Sequence, residues 1–504
     1  MKNLSLLNGA GLTKYALQPL AGGKSALEEA LSFGESLPDV EKIVLLTDRK
    51  EDGLPRGNWI IRQKTDLTDM KSLLSYMAQE GEGFDTVFYY YADCPLLDSG
   101  ITRKMYDNHL RYFAQYTFAD GYPSGLTPEL ISTSMINSLV LLSGKYSVPM
   151  KRDGIFSVLQ NDINAFDIET EISPKDLRLL RVSLSCDTKR NFYQTESIIK
   201  AGGTDAESII PVLEEKPELL RTLPSFIGVQ ICDGCPQACS YCPYPRIGGD
   251  VLHNRNFMSA DDFRTICGKI HELSDDAVIC PSLWGEPALH PDIADCVESV
   301  LAYPRFSLCI ETSGIGWKPE VLKHIRNLCE EKDGTARIDW ILSLDALDPE
   351  LYSRLRGPGF EEALKTCDLL CSLFPEKVHI QAVRMNSNEE NLEAFFRHWK
   401  EKTGKVIIQK YDHFCGFLDQ IKVTDLSPLK RFPCWHLKRD LSVLIDGSVP
   451  VCREDLKKDH ILGNILKDSA ASIWDKGTSW YEKHCRGVYP GLCKECDEYY
   501  TYNF

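Results

Sequence analysis

Short apolar runs, separated by longer stretches with helical spacing, recur along this chain. In the first part, runs at 42–47 and 86–91 have amphipathic segments between them, which predicts a layered α/β arrangement. Further on, runs fall at 226–231, 277–281, 307–311, 339–344, 378–383 and 405–409. Continuous apolar runs are what parallel strands covered on both faces look like. Six such β/α repeats in about 195 residues predict a partial parallel (β/α)6 barrel, with binding groups at the carboxyl ends of its strands. Residues 201–224 are rich in glycine, proline and charge and read as a linker containing a short helix. Beyond 425, short strands, glycines and five cysteines mark a smaller α+β region. The expected organisation is an α/β domain at 1–205, a linker at 206–224, a barrel at 225–425 and a C-terminal domain at 426–504.

Composition narrows the setting. The hydrophobic fraction of 43% and charged fraction of 26% are ordinary for globular domains. A formal charge of −16 repels phosphate backbones, so no nucleic-acid partner is expected. No apolar run approaches the length that spans a bilayer, and residues 1–23 lack the apolar core of a signal peptide. A cytoplasmic protein without membrane attachment is expected. In that reducing setting the 19 cysteines are not read as disulfides. Clustered ones suggest metal binding. Scattered ones, such as Cys267, Cys296, Cys329 and Cys367, read as small core residues.

The first cluster follows the first barrel strand: Cys232-Asp-Gly-Cys235-Pro-Gln-Ala-Cys239-Ser-Tyr241-Cys242. Cys235, Cys239 and Cys242 lie within eight residues and can wrap one small cluster. A four-iron cubane ordinarily takes four cysteines, so three leave one iron open, as the open position of a catalytic zinc does. A zinc knuckle or a structural cluster is the bland alternative. The Cys-x3-Cys-x2-Cys spacing, with Tyr241 before the last cysteine, resembles the radical S-adenosylmethionine (SAM) superfamily. Segments at successive strand ends strengthen the resemblance: Trp284-Gly285-Glu286-Pro287, then Glu311-Thr312-Ser313-Gly314, then Ser343-Leu-Asp345, followed by Arg354 and Arg356. Trp284 stands where that family has a glycine.

The resemblance implies that the open iron of a 4Fe–4S cluster chelates SAM, and that an electron from the cluster cleaves it to a radical that abstracts a substrate hydrogen. It implies SAM contacts from Tyr241, Gly285, Glu286 and Pro287, with Glu286 toward the amino group. It implies ribose contacts from Thr312 and Ser313, and carboxylate contacts from Ser343 with Arg354 or Arg356. It also implies an electron donor such as flavodoxin or ferredoxin. Cys232 matches no position of the family and reads as a packed strand-end residue.

The second cluster comprises Cys434, Gly447 and Cys452, then Cys485, Cys493 and Cys496. Cys-x12-Gly-x4-Cys resembles the opening of SPASM domains, which carry auxiliary iron–sulfur clusters. Four ligands close one cubane. Cys434, Cys452, Cys493 and Cys496 are the expected set for a second 4Fe–4S cluster, with Cys485 spare. A four-cysteine zinc site is the alternative.

In the first domain, Tyr91-Ala-Asp93-Cys94-Pro-Leu-Leu-Asp98 resembles a segment of the cytidylyltransferases that activate sugars, a GT-A-type nucleotidyltransferase fold. Tyr122-Pro-Ser-Gly125-Leu-Thr-Pro-Glu129 and the run from Leu179 through Asp187 to Asn191 resemble two more of their segments. That likeness implies a magnesium site at Asp93 and Asp187, and two carboxylates from separate loops suit Mg²⁺. The glycine-rich first loop, Asn8-Gly-Ala-Gly-Leu-Thr-Lys14, lacks the family's arginine, and Asn191 replaces its second aspartate. A retained fold that binds a ligand or partner is therefore favoured over live nucleotidyl transfer. Asp93 as a turn or capping residue is the bland reading.

Taken together, the three regions resemble the spiro-SPASM protein family. The leading expectation is radical modification of a peptide or protein. The alternatives are a nucleotide-linked sugar or polyol bound by the first domain, or a non-catalytic iron–sulfur sensor.

Overall fold

The computed structural model describes residues 1–424, 427–428 and 431–500. The chain forms two compact units, Met1–Thr222 and Leu223–Phe504.

In the first unit seven strands form one sheet: β1 (Asn3–Gly9), β2 (Val40–Thr47), β3 (Ile60–Gln63), β4 (Thr86–Tyr91), β5 (Tyr116–Asp120), β6 (Glu129–Ser132) and β7 (Ile168–Ile172). Their order is β3-β2-β1-β4-β6-β5-β7, and β6 runs antiparallel to both its neighbours. Strand periodicity divides the side chains between two cores. Leu7, Leu45 and Tyr90 pack on one face with the helix Ala26–Ser36, and Leu6, Leu46 and Tyr89 on the other with the helix Met70–Glu80.

The segment 206–224, expected as a linker with a short helix, carries that helix. Ala206–Glu215 is a helix whose N-cap Asp205 forms a capping box with Ser208. Its Ala206, Ile209 and Leu213 are buried with Leu184 and Ile198 of the first unit. The periodicity of those apolar residues explains the packing better than the flanking glycines and charge do.

In the second unit six parallel strands follow the expected runs: β8 (Phe226–Val229), β9 (Val278–Cys280), β10 (Ser307–Thr312), β11 (Ile338–Ser343), β12 (Val378–Arg384) and β13 (Val406–Lys410). A helix follows each of β9 to β12, and Ala260–Leu273 precedes β9. A seventh strand, β14 (Asp440–Val443), pairs in parallel with β8, so the sheet order is β13-β12-β11-β10-β9-β8-β14. The C-terminal region thus contributes a strand to the barrel sheet. It adds the hairpin β15 (Ser448–Pro450) and β16 (Ile461–Asn464), and the helices Ala470–Lys476 and Thr478–Cys485. The boundary expected at 425/426 lies outside the described residues. Among the described residues no helix is long and apolar enough to cross a membrane.

One group in the first unit makes stability depend on pH. Glu129, at the start of β6, accepts a hydrogen bond from the Tyr116 hydroxyl at 2.8 Å, yet burial raises its pKa to about 7. The unfolded chain releases this proton near pH 4.3, roughly the value of a free glutamate. Between those values the folded state holds more protons, so stability falls as pH rises and levels off above about 7. Glu129→Gln should remove this contribution. Chemical denaturation at several pH values should show wild type losing stability relative to the variant from pH 5 to 8. A constant difference between the two would refute the assignment.

Candidate active site

The cysteine loop leaves β8 and is tied down at many points by its own backbone. Cys232 is fully buried, and its thiol donates to the Glu286 carbonyl oxygen at 3.0 Å. The Glu286 amide donates to the Gly234 carbonyl at 2.8 Å, and the Cys235 amide to the Val251 carbonyl at 2.8 Å. Asp233 receives both the backbone and side-chain amides of Asn256, at 2.9 and 2.6 Å. Gly285 sits at φ +79°, and a Cβ there would lie 2.5 Å from the Cys232 carbonyl oxygen. Only glycine lets the β9 loop approach the cysteine loop this closely.

One cavity, of about 220 Å³, opens at the carboxyl ends of the strands. Cys235, Cys239 and Cys242 line it together with Tyr241, Gly285, Glu286, Thr312, Ser313, Ser343 and Arg356. Pro287 is buried and does not line the cavity. Arg354 is exposed on the far side of the helix Pro349–Arg356. The structure thus brings Arg356, and not Arg354, to the site.

Arg356 is held by three neighbours. Its Nη1 donates to Asp345 Oδ2 at 2.6 Å and to the Tyr241 hydroxyl, and its Nε donates to Gln237 Oε1 at 3.0 Å. The Tyr241 hydroxyl in turn donates to Asp345 Oδ2 at 2.6 Å. Glu286 plays a similar part on the opposite wall. Its carboxylate accepts from Thr312 Oγ1 (2.6 Å), Ser313 Oγ (2.6 Å), the Ser313 amide (2.7 Å) and the Ala288 amide (3.1 Å). Burial nonetheless pushes its pKa upward. Its acceptor capacity goes to bracing the end of β10.

The thiols fit an iron cluster. Burial pushes Cys242 up to about 12 and Cys235 and Cys239 also upward, so an empty site holds them as thiols. A cationic cluster is the kind of neighbour that makes such thiolates stable. None of the described cysteines is in a disulfide.

Beyond this wall the cavity carries Glu311, Gln381, Gln409, Lys410, Asp412 and Arg453. Arg453 pairs with Asp412 and Glu454, both at 3.0 Å. Trp284, in the place of the family's glycine, stacks on Tyr244 with ring centroids 5.7 Å apart and also meets Phe414. Sequence reasoning did not single out Gln381, Gln409, Lys410, Asp412 and Arg453, because they lie in strands and loops that carry no recognisable motif.

In the C-terminal region Cys434, Cys452, Cys493 and Cys496 lie within electrostatic reach of one another, and burial raises the first three. Cys485 ends a helix and packs against the same apolar cluster. A further thiol was not anticipated: Cys415 is a hydrogen-bonding neighbour of Cys496. It lies in the left-handed turn Phe414-Cys415-Gly416, with φ of 49°, 53° and 83°. In the first unit Asp93 and Asp187 both meet Arg152, at 2.5 and 3.3 Å.

Comparison with known proteins agrees with this geometry. Residues 229–398 match the Radical SAM superfamily, and residues 434–497 match SPASM, an iron-sulfur cluster-binding domain. A Treponema pallidum protein described only as uncharacterized is 40% identical over 369 residues, covering 69% of this chain and 98% of that protein. GTP 3',8-cyclase of Cronobacter sakazakii is 22% identical over 173 residues, 34% of this chain and 50% of that enzyme. Among solved structures, a cytidylyltransferase from Leptospira borgpetersenii covers 44% of this chain and 96% of its own, with 17% identity and a TM-score of 0.37.

Gly285→Ala should force the cysteine loop aside. Iron and sulfide analysis of the anaerobically reconstituted protein should then show a loss of about four irons per chain relative to wild type. Full iron content in the variant would show that the close approach is dispensable.

Proposed function

We propose that this chain, which belongs to the same family as the Treponema pallidum protein and is a radical SAM enzyme, takes a hydrogen atom from a side chain of a peptide or protein. Its cofactors are SAM and 4Fe–4S clusters. A 4Fe–4S cluster held by Cys235, Cys239 and Cys242 would supply, when bound, the one-electron reduction of SAM that hydrogen abstraction requires.

The observation that carries this reading is the single cavity at the strand ends, where the three cysteines, Arg356, Ser343 and the Thr312–Ser313 segment converge. Cys235, Cys239 and Cys242 would hold the cluster. Ser343 and Arg356 take the SAM carboxylate, and the Asp345 and Tyr241 contacts keep the guanidinium aimed. Gly285 allows the main chain near the amino group, and Glu286 fixes Thr312 and Ser313 along the ribose. Neither Arg354 nor the Pro287 ring has a part.

The polar rim of the cavity favours a peptide. The mouth offers Glu311, Gln381, Gln409 and Lys410 to a polar main chain. Cys434, Cys452, Cys493 and Cys496 would hold a second cluster, which would supply an electron relay from a flavodoxin or ferredoxin in the cytoplasm. The combination of regions supports reading the chain as a member of the spiro-SPASM family.

The test is SAM cleavage under dithionite without oxygen. Wild type should release 5′-deoxyadenosine and Cys239→Ala should not. Release should rise when the low-mass fraction of a cell extract is added, and proteinase treatment of that fraction should remove the stimulation. Stimulation that survives proteinase would move the substrate to a small molecule. Cleavage by Cys239→Ala would overturn the cluster assignment.

Glu286→Gln leaves one donor on Thr312 or Ser313 without its charged acceptor. A hydrogen bond to a charged group is worth about 1.5–3 kcal/mol, so SAM should bind about ten- to a hundredfold more weakly. Calorimetry on the reconstituted variant reads this, with iron content unchanged. Wild-type affinity would remove Glu286 from the SAM site.

A further inference from the structure

We propose that Arg152 is the resident cation of the carboxylate pair in the first unit, so that this unit holds neither a divalent metal nor a nucleoside triphosphate that needs one. The likeness to cytidylyltransferases reserves Asp93 and Asp187 for magnesium. The residues present do not fit that ion.

Arg152 Nη2 lies 2.5 Å from Asp93 Oδ2 and 3.3 Å from Asp187 Oδ2, between the two carboxylates where the ion would sit. Mg²⁺ needs oxygens at about 2.0–2.1 Å in an octahedron and cannot share that space with a guanidinium. The remaining Asp187 oxygen is also engaged, accepting from Ser185 Oγ and Asn191 Nδ2, both at 2.8 Å. Asn191 stands where the likeness predicts an aspartate. The exchange turns an acceptor beside a metal into a donor that closes off Asp187. Arg152 is itself secured from behind: its guanidinium lies over the Tyr91 ring at 4.5 Å, and Nη1 points to the Cys94 sulfur at 3.7 Å.

A second part of the unit agrees independently. The glycine-rich loop after β1 would cradle phosphates with free backbone amides. Here the Ala10 amide donates to Asn8 Oδ1 at 3.0 Å and the Gly11 amide to Asp48 Oδ1 at 3.2 Å. Arg49 clamps the Leu12 carbonyl through two nitrogens, at 2.9 and 2.7 Å. Two of the loop's amides are therefore bonded to this chain's own acceptors, and one of those acceptors is a carboxylate that repels phosphate. Both the metal position and the phosphate loop are closed by local side chains. The fold survives as a self-satisfied site.

Removing the plug should reopen the metal site. Mn²⁺ binding to the full chain is followed by the electron paramagnetic resonance of the free ion. Arg152→Ala should gain one Mn²⁺ site per chain, about tenfold or more tighter than any in wild type. Adding Asp93→Asn should erase the gain, which separates it from the Asp412, Asp497 and Glu498 group of the second unit. Arg152→Gln serves if the alanine variant does not fold. A folded Arg152 variant that gains no Mn²⁺ would overturn the proposal. So would Mn²⁺ binding by wild type that Asp93→Asn abolishes. A rise in wild-type melting temperature with CTP and Mg²⁺, lost in Asp93→Asn, would overturn it equally.

Discussion

The cavity of the second unit depends on one buried ion pair. Arg356 and Asp345 are 4% and 1% exposed, and each would be costly to bury alone. The pair is satisfied from several directions. Asp345 Oδ1 accepts the Val383 amide of β12 at 2.7 Å, while Oδ2 receives Arg356 and Tyr241. Asp345 adopts a left-handed φ of 64° just beyond β11 to reach both. The network thereby joins β11, β12, the helix that ends at Arg356 and the loop that carries Cys239 and Cys242. Such pairs contribute less to stability than to a single arrangement. Here the arrangement they enforce is the position of the cysteine loop over the strand ends.

Much of this was legible in the sequence because it is local. The three cysteines lie within eight residues, and Gly285, Glu286, Thr312 and Ser313 occupy recognisable places after apolar runs. The choice between Arg354 and Arg356 was not local. On a helix whose buried face is Leu351, Tyr352 and Leu355, the two arginines flank the apolar arc on opposite sides at similar angles. The partner decides between them, and Asp345 belongs to another element. Arg152 was hidden for the same reason, since it meets Asp93 from 59 residues away. Cys415 stands 81 positions before Cys496 and reaches it only through a left-handed turn that no apolar period announces. The helix at 206–215 was anticipated as a short helix within a linker, but its burial against Leu184 and Ile198 was not, because those partners lie in other elements.

The two units use arginine beside carboxylate to opposite ends. In the second, Arg356 is fixed by Asp345 and still lines a cavity that can accept a ligand. In the first, Arg152 fills the space between two carboxylates and leaves them engaged. One pair organises a binding wall; the other replaces a ligand. The difference lies in what else surrounds the guanidinium, a tyrosine and a glutamine on a wall in one case and two aspartates converging on one point in the other.

The pairing of β14 with β8 bears on how this polypeptide can be divided. Asp440–Val443 lie alongside Phe226–Val229 in register, and the Gln230 amide continues the ladder to the Val443 carbonyl. A chain cut ahead of residue 440 would strip the partner from the strand that launches the cysteine loop and leave a bare row of amides at the sheet edge. The tail is therefore not a detachable accessory. The leading 222 residues form a unit of their own, whereas the two cysteine-bearing regions after it share one backbone ladder and have to fold together.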